Sequence, residues 1–143
     1  MRPVAVNFQS GSIRGPRFKR IGRSMARILL AEDDPSMRGF LARALTKAGH
    51  QVVAVPDGDE AVSSLAENDY DLVLADIVMP GVDGIDLAKR VNEDKPGVKV
   101  MLITGFAAVK LKAKSVLDPS ARVLSKPFHL RAIVDEVDKL LAA

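Results

Sequence analysis

Short apolar runs alternate five times with segments of helical spacing, and this alternation limits the fold more than any other feature of the chain. The runs are Ile28-Leu29-Leu30-Ala31, Val52–Val55, Leu72–Ala75, Val98–Ile103 and Val123-Leu124. Most are apolar at successive positions rather than at every second one, so each strand expects cover on both faces. Between them, Met37, Phe40, Leu41, Ala44, Leu45 and Ala48 recur at helical spacing. So do Ala61, Val62 and Leu65 within Asp57–Glu67, then Ile85, Leu87, Ala88 and Val91. Ala107–Leu117 reads as a weaker, Lys-rich helix, and Leu130, Ile133, Val134, Val137, Leu140 and Leu141 mark the last one. Local signals agree. Asp34 precedes Pro35 as an N-cap, Gly49 closes the first helix, Asp83 caps the third, and Pro96-Gly97 ends it. The pattern predicts an α/β fold, a doubly wound parallel sheet with helices on both faces.

A chain of 143 residues is the usual size of one domain. With 48% hydrophobic residues, no Trp and one Tyr, its core must be largely aliphatic. The absence of Cys excludes disulfides, thiolate metal sites and Cys nucleophiles, and fits a reducing, cytoplasmic setting. No apolar run reaches the roughly 18 residues that a membrane span needs, so no membrane partner is expected.

The net charge of +3 is unevenly divided. Arg2, Arg14, Arg17, Lys19, Arg20 and Arg23 lie in residues 1–24 with no acid, leaving 15 bases against 18 acids in the remainder. The organisation read here is a disordered basic leader, 1–24, followed by one domain, 25–143. For the leader three readings stand: a translation artefact, with Met25 as the true start; a solvated tail; or a basic arm for anionic surfaces. It lacks the apolar segment of a secretory signal.

The polar residues that follow the runs carry the chemistry. Glu32 and Asp33 follow the first run, Asp76 the third, Thr104 the fourth and Lys126 the fifth. All fall at carboxyl ends, the rim where open α/β sheets bind ligands. Read alone, Glu32 and Asp33 are loop charges; read with Asp76 they form a carboxylate cluster that calls for a hard cation such as Mg²⁺. The Asp76 carboxylate can then serve as a nucleophile toward a phosphoryl donor. Lys126 offers a mobile positive charge for a phosphoryl oxygen, and Thr104 a short hydroxyl donor.

At these residues the sequence resembles the response-regulator receiver family. The matching stretches are Leu29–Asp34, Asp76–Gly81 with Asp83-Gly84, Leu102–Gly105 and Ser125–Phe128, and the likeness spans about residues 27–141. It implies a flavodoxin-like five-stranded parallel sheet of order 2-1-3-4-5 with five helices. It implies Asp76 as phosphoacceptor, and Thr104 and Lys126 as the switching pair. It also implies Mg²⁺ held by Asp33, Asp76, the Val78 backbone carbonyl and, through water, Glu32. A cis peptide between Lys126 and Pro127 is a family habit. More narrowly, Asp76–Pro80, Ile103–Ala108 and Leu124–Leu130 are similar to the CpdR-type single-domain regulators of alphaproteobacteria. That resemblance implies phosphate from a histidine kinase or histidine phosphotransferase. It further implies control of regulated proteolysis by an AAA+ protease of the ClpXP type or its adaptors, with the unphosphorylated form promoting degradation.

The sequence departs from the family where an aromatic switch residue usually precedes the Lys by three, since Val123 stands there. Val78, two residues after Asp76, cannot orient a hydrolytic water, so self-dephosphorylation is expected to be slow. A phosphatase of the haloacid dehalogenase type would need an Asp at that same position and is excluded; a flavin-binding protein would not tolerate Glu32-Asp33-Asp34 beside its phosphate. The expectation is therefore a phosphoacceptor rather than an enzyme, with no DNA-binding domain after the last helix. A phosphorylation-independent binding module on the same scaffold is the alternative. His50 reads as structural and His129 as a helix-start residue. Leu140-Leu141-Ala142-Ala143 reads either as a last helical turn or as a tail for an AAA+ unfoldase.

Overall fold

A computed structural model describes residues 4–5 and 25–143. In chain order its elements are β1 (Val4–Ala5), β2 (Arg27–Ala31), α1 (Pro35–Lys47), β3 (Gln51–Val55), α2 (Gly58–Glu67) and β4 (Leu72–Asp76). They continue with α3 (Gly84–Asp94), β5 (Lys99–Thr104), α4 (Ala107–Val116), β6 (Arg122–Ser125) and α5 (Leu130–Ala142). The five alternating strands form the predicted parallel sheet, in the order β3-β2-β4-β5-β6. The first strand of the repeat thus pairs with the second and third, which gives the 2-1-3-4-5 order.

The sheet holds one strand more than the five expected. Val4 and Ala5 pair antiparallel with Ala54 and Val53 at the free edge of β3. The expectation of a wholly disordered leader is corrected at these two residues; the rest of that expectation lies outside the described residues.

Successive apolar residues on a strand point to opposite faces, and the two cores follow from that. Ile28, Leu30, Leu72, Leu74, Met101 and Ile103 face α1 and α5, meeting Leu41, Leu45, Ile133, Val137 and Leu140. Leu29, Ala31, Val73, Ala75 and Leu102 face the other way, onto Ala61 and Leu65 of α2, Leu87 and Val91 of α3, and Ala113 of α4. The central strand β4 is buried at every position, which explains its unbroken apolar run. Val123 belongs to the second of these cores. Leu140 is buried and helix α5 runs to Ala142, as a last helical turn requires.

One helical residue is placed differently from its pattern. Phe40 falls within the apolar spacing of α1 but is 50% exposed, and Arg43 lies 5.2 Å over its ring. Leu41, Ala42 and Leu45 carry the buried face instead. Asp34 caps α1 as expected, accepting hydrogen bonds from the Ser36 and Met37 N–H groups at 2.8 and 3.2 Å. Asp57 and Asp83 likewise cap α2 and α3.

Candidate functional site

Because the strands are parallel and in register, their carboxyl ends form one rim. Asp76 ends β4 opposite Ile103, and Thr104 ends β5 opposite Ser125. The Ile77 N–H donates to the Ile103 carbonyl at 2.8 Å, and the Lys126 N–H donates to the Thr104 carbonyl at 2.8 Å. These bonds carry the sheet one residue beyond the strands and fix where Asp76 and Lys126 leave the rim.

The side chains converge as the sequence predicts. Ligand-capable oxygens of Glu32, Asp33 and Asp76 lie within 4.8 Å of one another. Lys126 Nζ donates to Asp76 Oδ2 at 2.8 Å and stands 3.8 Å from Glu32 Oε1. The Val78 N–H donates to the other Asp76 oxygen, Oδ1, at 3.1 Å. Asp76 is therefore held from two sides, while Asp33 stays exposed to solvent. The peptide between Lys126 and Pro127 is cis, as expected.

Glu32 is the unusual member. It is 1% exposed, and burial pushes its carboxyl up to about 7, with the nearby Asp76 charge adding to the rise. Its Oε2 accepts the Asp34 N–H at 3.1 Å, which works the other way. Its Oε1 is buried with no hydrogen-bond partner, since Lys126 is at ion-pair distance only. A buried acceptor aimed into a carboxylate cluster is what a cation-binding rim would hold in reserve. For Lys126, burial lowers the affinity for its proton, but the Asp76 hydrogen bond and the Glu32 and Asp76 charges outweigh it, and the net shift is upward. The ammonium therefore stays charged throughout the neutral range.

Thr104 is fully buried at the rim, and its Oγ1 accepts the Phe106 N–H at 3.2 Å. His129 caps nothing with its side chain.

Sequence reasoning missed the groups that brace this rim. The Arg38 guanidinium donates to the Glu32 carbonyl at 2.9 Å from the first turns of α1. Gly58 and Gly84 allow backbones to meet: a Cβ at Gly84 would lie 2.6 Å from the Asp76 carbonyl oxygen, and one at Gly58 would lie 1.7 Å from that of Val82. The only sequence trace of these contacts is a glycine just after each capping Asp.

A doubly wound sheet whose carboxyl rim gathers three acids around one lysine defines the class: a signal-receiving α/β domain of the two-component type. The chain belongs to the response regulator receiver domain family, whose model matches residues 28–138. Over 119 residues it is 54% identical to the response regulator receiver protein CpdR of Brucella abortus, covering 83% of this chain and 99% of that protein. It is 39% identical to the transcriptional regulatory protein TcrA of Mycobacterium tuberculosis, but spans only 46% of that protein and 82% of itself. Among solved structures, the response regulator TrrA of Thermotoga maritima, in complex with Mg²⁺ and beryllium fluoride, superposes with a TM-score of 0.71 at 29% identity. That match covers 80% of this chain and 97% of TrrA. The acidic cluster can bind a metal, and among the described residues no helix is long and apolar enough to cross a membrane.

Proposed function

We propose that this receiver accepts a phosphoryl group on Asp76 from a histidine kinase or histidine phosphotransferase, and that the acyl phosphate switches a protein-docking surface. The observation that carries the reading is Lys126 Nζ at 2.8 Å from Asp76 within a cluster of three acids. A lone salt bridge would leave the other two carboxylates repelling each other; a site that receives a phosphoryl group and a cation has use for all four.

Glu32, Asp33, Asp76 and the Val78 carbonyl would hold Mg²⁺, Glu32 through water. Bound there, the ion would offset negative charge on the carboxylates and on the phosphoryl oxygens. One Asp76 carboxylate oxygen attacks phosphorus, a P–O bond forms, and the P–N bond to the donor imidazole breaks. Lys126 follows the charge, moving from Asp76 Oδ2 to a phosphoryl oxygen. The Thr104 hydroxyl donates to another, and in turning gives up the hydrogen bond it accepts from Phe106. These residues position and neutralise; none completes a turnover cycle, which supports reading the chain as a phosphoacceptor with at most weak self-phosphotransfer and autodephosphorylation.

The likeness to CpdR supports a cytoplasmic role in regulated proteolysis, with an AAA+ protease of the ClpXP type or its adaptors as partner. The unphosphorylated form would promote degradation. The docking surface would lie on α4, β6 and α5, where Thr104 and Lys126 report the state of Asp76.

Intact-mass spectrometry after incubation with a small acyl-phosphate donor and Mg²⁺ tests the chemistry. The parent should gain one phosphoryl mass and the Asp76→Asn variant none. An unmodified parent, or an adduct that persists in the variant, refutes the proposal.

A further inference from the structure

The sheet is finished differently at its two edges. At one edge β6 bears Arg122, which pairs with Glu136 at 3.3 Å, and exposed Ser125. At the other, β3 reads Gln51-Val52-Val53-Ala54-Val55, with no charge and no proline within the strand. An uncharged, regular edge is a template for any passing strand, and folded proteins blunt such edges with charge, proline, a bulge or a cover. Only a cover is found here. Val4 and Ala5 lie antiparallel along it, Val4 opposite Ala54 and Ala5 opposite Val53.

The leader sequence is in keeping with this pairing. Val4-Ala5-Val6 is its only run of three successive apolar residues, and the β-branched valines suit a strand. The remainder of residues 1–24 is rich in Gly, Ser, Pro and Arg, so the sole run with strand character contains the two residues that pair.

We infer that the outer edge of β3 is a strand-docking site whose occupant is this chain's own leader, seated by main-chain pairing at Val4–Ala5. Recognition of this kind uses backbone groups and is an intramolecular form of strand addition. Its tether makes so short a ladder effective, because the second segment never leaves the molecule. Val4 and Ala5 thereby become part of the folded sheet, and the shielded edge is kept from pairing with another copy. Nothing in this depends on the chemistry at Asp76.

Amide hydrogen exchange read by mass spectrometry tests it on three proteins: the full chain, a chain beginning at Met25, and the full-length double variant V4P/A5P, whose prolines lack the N–H groups a ladder needs. Intact mass verifies that the leader is present. Peptides covering Gln51–Val55 should exchange about tenfold faster in both altered proteins, while those covering Leu72–Asp76 remain unchanged. A dimer of the shortened chain on size-exclusion chromatography would add support, since the bared edge would then have found a second copy. Equal β3 exchange in all three proteins overturns the inference. Equal acceleration of β3 and β4 overturns it too, because the leader would then act on global stability rather than on one edge.

Discussion

Raising the pH through neutrality should switch on the cation affinity of the rim, and Glu32 sets where this happens. Its folded-state pKa is about 7 against an ordinary 4.5, with burial as the main cause. The native state therefore binds a proton more tightly than the unfolded chain does. In the metal-free protein that proton contributes stability fully below the ordinary pKa, and the contribution is lost as pH rises through about 7. The shift amounts to at most about 3 kcal/mol, and to about 2 kcal/mol once water at the open rim screens the charges. A divalent cation competes for the same carboxylates, so Mg²⁺ must displace the proton below neutrality. Its affinity should fall about tenfold between about pH 8 and about pH 6, with up to one proton released per ion bound. Isothermal titration calorimetry in buffers of different ionisation enthalpy reads both quantities. In Glu32→Gln the affinity should be lower at high pH and nearly flat across the range. A parent whose Mg²⁺ affinity is the same at both pH values, or a variant that keeps the full dependence, would refute the assignment of this proton to Glu32.

Other consequences follow from particular contacts. Gly84→Ala places a Cβ 2.6 Å from the Asp76 carbonyl oxygen and 2.7 Å from Ile77 Cα, so it should destabilise by about 2 kcal/mol or more on urea unfolding. An unchanged urea midpoint would show that the rim yields more easily than its packing implies. His50 is fully buried; its Nδ1 accepts the Ala26 N–H at 3.0 Å and its Nε2 lies 3.1 Å from Asp138 Oδ1. His50→Leu should cost about 1–3 kcal/mol by the same assay, because the Ala26 N–H loses that acceptor in a buried site; a loss within error would make the link decorative. Val78 is 52% exposed beside Asp76, and its side chain offers no polar group to a water. Val78→Asn should shorten the acyl-phosphate half-life about tenfold by orienting that water, and an equal half-life would mean the limit lies elsewhere.

The sequence carried much of this because the fold is built from signals that are local. A strand buried on both faces must be apolar throughout, so β4 announced itself in Leu72–Ala75 and placed Asp76 at its carboxyl end. Once a parallel sheet was granted, Glu32, Asp33, Thr104 and Lys126 fell on the same rim with no further information. What escaped depends on contacts distant in the chain or too short to have a period. His50 reads as structural, but its partner Asp138 lies 88 positions away on α5 and leaves no trace near it in the sequence. The strand at Val4–Ala5 has two residues, fewer than any alternation can reveal. Phe40 follows the helical spacing yet faces outward, with Arg43 over its ring, because the buried face of α1 centres on Leu41, Ala42 and Leu45. The tightness at Gly58 and Gly84 comes from how the 80–84 loop lies against α2 and β4, which no glycine discloses by itself.

With Val123 where an aromatic switch would stand, a change of state at the rim needs another route outward, and α4 is the element least able to resist. Its N-cap is Phe106, which makes no side-chain capping bond, whereas Asp34, Asp57 and Asp83 cap the three preceding helices. Among its described side chains only Ala113 is fully buried, and Leu111 is 71% exposed. A helix with so little apolar anchorage and an uncapped start draws on the low end of local stability. The bond from the Phe106 N–H to the Thr104 hydroxyl ties its entry to the rim. A neutral hydrogen bond of this kind is worth about 1 kcal/mol, small beside the charge of an acyl phosphate yet large for a segment held by little else. The poor capping and the scarce core contacts of α4 thus have one physical consequence. They place the most easily displaced helix directly after the hydroxyl that Asp76 chemistry would reclaim.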